Sequence, residues 1–203
     1  AHLYLRRNDL SAARECAIEM MTGDADAPAG YQLLGELALF DRQLDDARAY
    51  FREAAALGEE APDTHDPVMT DMGLAYVELR TGEATLGRTH LQALLKNLEA
   101  KALQSGKGSY RLEVSMAYAL LGERMRALDW LEEAVAHQWY DYRQARRHPF
   151  FENLHDDPRF RELLREMEQK VEALQTEVDA LLVKGRMTLD RPGDNGLPSG
   201  AIG

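Results

Sequence analysis

The residues able to do chemistry fall into a few small groups, and spacing decides most of them. The segment SGKGS, residues 105–109, sets a lysine between glycines as a phosphate-cradling loop does. The glycine-to-lysine spacing of that loop is wrong here and no strand pattern precedes it, so an interhelical turn is expected. His65 stands beside Asp63 and Asp66, but neither tetrahedral nor EF-hand spacing follows, and an acidic loop is the expected reading. His148 and His155 are seven residues apart, which would align them on one helical face if Pro149 did not break continuity. A metal ligand pair is not expected there. Cys16, the single cysteine, lies on an apolar helical face and reads as packing. The serines show no arrangement with a histidine and a carboxylate that would make a nucleophile. Neither catalysis nor a cofactor or metal is expected.

One basic group remains. In WYDYRQARRHPFF, residues 139–151, Arg143, Arg146 and Arg147 stand among aromatics in an acidic chain. They could form a docking patch for a carboxylate-bearing partner, or pair with neighbouring acids in a degenerate structural unit. The second reading is the favoured one.

These groups must be carried by helices. Of 203 residues, 45% are hydrophobic and 29% charged, enough for a sizeable core. With 24 Lys and Arg against 35 Asp and Glu, the net charge is -11, which repels phosphate backbones, so nucleic acid is not an expected partner. No apolar run approaches the roughly 20 residues of a membrane span. The chain opens at Ala1, without Met, inside a helical pattern and is expected to be part of a longer protein. Apolar residues recur three and four apart throughout, which predicts helices near 1–7, 10–22, 28–41, 44–57, 67–80, 83–104, 109–121, 124–137 and 158–184. A flexible tail is expected over 185–203, where Gly and Pro are dense.

Counting exposes a repeat. Leu10 and Leu44, Ala13 and Ala47, and Arg14 and Arg48 are each 34 residues apart. The segment YQLLGELALFDRQLDDARAYFREA resembles the tetratricopeptide repeat closely: Tyr31, Leu34 and Gly35 match its first helix, and Ala47, Phe51 and Ala54 its second. A later unit matches with Ser115, Tyr118, Leu121, Gly122, Ala127, Leu131 and Ala134. The unit between them keeps Gly73 and Tyr76, but its turn, RTGEA, reads as two residues longer, which moves the small and bulky positions to Gly87 and Leu91. Small residues are required where two helices cross at close range. The resemblance implies an all-α, right-handed solenoid of antiparallel helix pairs over residues 1–137. A degenerate unit or irregular connection is expected over 138–157 and a long capping or coiled-coil helix over 158–184. Residues 148–168 also look like the region that closes such arrays in multidomain bacterial signalling proteins.

What the resemblance implies about function is a scaffold that takes a peptide or a partner's helix in a concave groove. Family groove positions correspond to Gln32, Glu36, Leu39 and Phe40, to Thr70, Leu74, Val77 and Glu78, and to Leu112 and Met116. The Lys, Arg and Asn that grip a C-terminal carboxylate in some members are missing there. A basic or amphipathic segment is therefore the expected partner. Apolar residues of this set could equally pack between repeats. In the last helix Val171 and Val178 fall at heptad a positions, with Leu174 and Leu181 at d. That combination favours a parallel pair of helices and gives the alternative function, homodimerisation.

Overall fold

The computed structural model describes residues 10–23, 27–60 and 66–189, and among these every element is helical. Nine α-helices are described: α1 (Leu10–Gly23), α2 (Pro28–Phe40), α3 (Leu44–Glu60), α4 (Pro67–Arg80), α5 (Ala84–Gln104), α6 (Gly108–Leu121), α7 (Arg124–Ala136), α8 (Tyr142–Arg147) and α9 (Pro158–Leu189). A 3-10 helix over Pro149–Leu154 joins α8 to α9. The expected helix over 1–7, the loop with Asp63 and His65, and the tail from 190 onward lie outside the described residues. The stretch 185–189, expected to belong to the tail, continues α9.

Starts and stops follow local chemistry. Proline opens α2 and α4, where a missing N–H costs nothing. The Asp66 side chain accepts from the backbone N–H groups of Val68 and Met69 at the head of α4, and Asp157 accepts from Arg159 N at the head of α9. The turns α2–α3, α4–α5 and α6–α7 share one geometry. In each, an N–H reaches back five residues, from Gln43 to Ala38 O, Glu83 to Glu78 O and Glu123 to Tyr118 O, around a left-handed residue. Those residues, Arg42, Gly82 and Gly122, have φ of 59°, 91° and 81°.

Their numbers are 40 apart, and so are Ala47, Gly87 and Ala127 and also Phe51, Leu91 and Leu131. This corrects two expectations. The 34-residue spacing joins α1 to α3 only, and the RTGEA connection is not longer than its counterpart: residues 81–83 separate α4 from α5 as 41–43 separate α2 from α3. The two extra residues lie in α4, which runs seven residues past Gly73 where α2 runs five past Gly35.

Adjacent helices pack in pairs, α2 on α3, α4 on α5 and α6 on α7, and each pair packs on the next. The first helices also touch across pairs, α2 to α4 and α4 to α6, whereas the second helices approach one another less closely. The stack is thus bent with α2, α4 and α6 on the inside. Phe51, fully buried, lies between Gly35 of its own pair and Gly73 of the next. In the third pair Ser115 takes the glycine position and donates to Ala127 O at 2.7 Å, so its hydroxyl is satisfied within the same close crossing. Arginines following the small residue of α1 and of α3 tie pair to pair: Arg14 to Asp41 at 2.7 Å and Arg48 to Glu83 at 2.6 Å.

Candidate binding groove

Groove residues expected from the sequence sit on the inner helices, and most are closed off. Gln32, Glu36, Leu39, Thr70, Val77, Leu112 and Met116 are buried within the chain. Gln32 acts as a strut between pairs: its Nε2 donates to Glu36 Oε1 at 2.9 Å, and its Oε1 accepts from Asp66 N at 2.8 Å. Glu36, although acidic, is therefore held inside. Phe40, Leu74 and Glu78 remain partly open. Leu74 lines a cleft of ≈ 360 Å³ between α4 and α5 together with Asp71, His90, Leu94 and Asn97. Glu78 Oε2 stands 2.9 Å from His90 Nδ1 in the same region.

The inner face is closed at one end by the chain itself. The 3-10 helix crosses the C-terminal ends of all three inner helices. The His148 ring meets Phe40 of α2 edge-on at 5.8 Å, and Phe150 lies 5.5 Å from Tyr76 of α4. Asn153 Nδ2 donates to Ala119 O of α6 at 2.7 Å. Between them Glu152 receives Arg42 at 3.1 Å on one oxygen and Arg80 on the other. Phe150, Phe151 and Leu154 are fully enclosed, so this segment is core and not a loose strap. Burial pushes the His148 imidazole down to about 3, and its Nδ1 faces Phe150 N at 3.4 Å. His155 stacks on Phe160 instead, so the two histidines do not converge.

At the opposite end the inner face keeps acceptors with incomplete pairing. Among the described residues, Thr70 Oγ1 and Glu113 Oε2 are buried without a hydrogen-bond partner. Burial raises Glu113 to about 7, with the Asp66 charge adding to the rise. Glu113 was not expected from the sequence to matter; an acidic residue between Leu112 and Val114 has no periodic mark.

The basic group of residues 139–151 resolves toward local pairing. Arg146 meets Glu168 at 3.4 Å, and Arg143 and Arg146 both lie over the Tyr142 ring. Among the described residues no three His, Cys, Asp or Glu side chains gather around a point that could hold a metal ion, and no helix is long and apolar enough to cross a membrane.

Helix α9 divides into two halves. Phe160, Leu163, Leu164 and Met167 are buried against the stack, anchored by Arg159 to Asp129 at 2.7 Å and by Arg124 to Asp157 at 3.4 Å. Contact ends with Lys170 over Tyr140 and with Val171, which is half-buried. Beyond that point Leu174, Val178, Leu181 and Leu182 are 50%, 49%, 61% and 61% exposed. The four share one stripe of the helix. No protein-family model matches the chain, and no solved structure matches it.

Proposed function

We propose that the chain is a non-catalytic protein-protein interaction scaffold, built as a tetratricopeptide-like right-handed solenoid, which assembles with a second copy through the projecting half of α9. The observation that carries this reading is the stripe Leu174, Val178 and Leu181, half or more exposed on a helix that continues past its last contact with the stack. A helix of 32 residues is roughly 48 Å long at 1.5 Å per residue, far more than capping one helix pair requires. Valine at a with leucine at d suits a parallel two-stranded coil. An antiparallel pair matching Leu174 to Val178 of the second copy would set Glu177 beside its own counterpart, a like-charge contact that the parallel pair avoids. The test is molar mass in solution for the full chain and for Leu174→Ser combined with Leu181→Ser. Dimer to monomer supports the reading, and a wild-type monomer across the accessible concentrations rejects it.

A second reading is favoured by Glu113, half-buried toward the N-terminal ends of the inner helices with one carboxylate oxygen unpaired among the described residues. There a basic or amphipathic segment of a partner would find Glu113, while His148 to Asn153 block the other end. Titration with a lysine-rich amphipathic helix tests it; affinity that does not change in Glu113→Gln removes this site.

A further inference from the structure

The arginines that tie one helix pair to the next form a series with one member lacking its counter-charge. Each follows the small residue of a second helix: Arg14 after Ala13, Arg48 after Ala47, Arg88 after Gly87. Each reaches the turn of the following pair. Arg14 finds Asp41 at 2.7 Å, and Arg48 finds Glu83 at 2.6 Å together with the Thr81 hydroxyl. Arg88 reaches the corresponding turn and, among the described residues, finds only a backbone carbonyl, Leu121 O at 3.2 Å. The carboxylate of that turn, Glu123, is turned toward Arg126 at 3.1 Å.

Beside Arg88 the structure has a cavity of ≈ 370 Å³ between α4, α5, α6 and the 3-10 helix. Arg80 and Arg88 line it with Asn153, and its apolar wall comes from Leu79, Leu120 and Phe150. Glu152 is the acid on the lining, and both its oxygens are taken by Arg42 and Arg80. On the lining, the guanidinium groups of Arg80 and Arg88 stand against the one carboxylate of Glu152, which leaves it positive in a chain of net charge -11. An arginine fork beside apolar walls recognises a carboxylate carried on an apolar body.

We infer that this cavity is a binding site for a small carboxylic acid with an aliphatic or aromatic body, whose carboxylate completes the arginine series at Arg88. The site is separate from both surfaces proposed above, and its test does not depend on either.

The probe is 3-phenylpropionate, followed by amide chemical shifts of the full chain, with 3-phenylpropionamide as the uncharged control. Expected is saturable binding with Kd of about 1 mM or below, centred on residues of α5 and the 3-10 helix. Binding should weaken about tenfold or more with the amide and in Arg88→Gln, and should fade as salt rises. Arg88 is exposed, so its replacement is expected to leave the fold intact; Ala84→Leu, which narrows the cavity and keeps Arg88, should also block binding. Absence of saturable shifts at about 10 mM acid, equal binding of acid and amide, or unchanged binding in Arg88→Gln would each overturn the assignment.

Discussion

The ring of Phe51 lies against Gly73 of the following helix pair more closely than any side chain at that position would permit. A methyl group built on Gly35, on its other side, would come within 2.7 Å of the ring, and one on Gly73 closer still. One buried aromatic thereby sets the approach of three helices: its own α3, its pair mate α2 and the next inner helix α4.

Gly73→Ala should cost about 1–3 kcal/mol despite the roughly 1 kcal/mol that alanine gains over glycine in a helix. Gly106→Ala, where an added Cβ meets nothing within 4 Å, should change stability little. Urea midpoints of the two variants check this. Equal midpoints would mean that the ring has room to move aside.

Removing Phe150 tests whether the closing segment is permanent. Its burial against Tyr76 and beneath the inner helices predicts a loss of about 3–5 kcal/mol for Phe150→Ala. A loss below about 1 kcal/mol would mean that residues 148–154 leave the inner face easily and that a partner could take their place.

Two buried groups give opposite pH signatures. Glu113 has a folded pKa raised from 4.5 to about 7, so the folded chain holds a proton that the unfolded chain has lost between those values. Its contribution is fully favourable below 4.5 and is lost as pH rises through 7. Glu113→Gln should therefore be more stable than wild type at pH 8, by about 1–2 kcal/mol after screening at its partly open edge, with the gap closing near pH 4.5.

His148 behaves in the reverse sense. Its folded pKa is lowered from 6.5 to about 3, so the unfolded chain takes up a proton that the folded chain refuses. Stability should fall as pH drops from 6.5 toward 3. In His148→Gln that part of the acid sensitivity should vanish, even if the variant is less stable at neutral pH. The difference between the two stability curves across this window is the readout.

Much of the packing was legible in the sequence because it repeats. Gly35, Phe51, Gly73, Ala127 and Leu131 stand out by size and spacing, and helix crossings demand those sizes. The 40-residue step was not legible, since its extra residues are split: two lengthen α4 past Gly73, and the rest fall between the small residue of one second helix and that of the next first helix. The burial of groove positions was hard to read for a different reason. Polar Gln32, Glu36 and Thr70 look solvent-facing in a helical pattern, yet Gln32 is paired with Glu36 and with the backbone of the next helix pair. The closure by His148, Phe150 and Asn153 joins residues whose partners are 34 to 108 positions away with no periodicity, and only the fold brings them together.

The most direct measurement of the central claim is light scattering after size exclusion, over a range of concentrations, on the full chain and on a variant with Leu174→Ser, Val178→Ser and Leu181→Ser. These positions are preferable to a truncation near Met167, because Lys170 and Val171 still hold α9 to the stack. Pairing through α9 gives twice the monomer mass for the wild type and the monomer mass for the variant, with unchanged helical content. A wild type that stays monomeric, or a variant that stays dimeric, would contradict it.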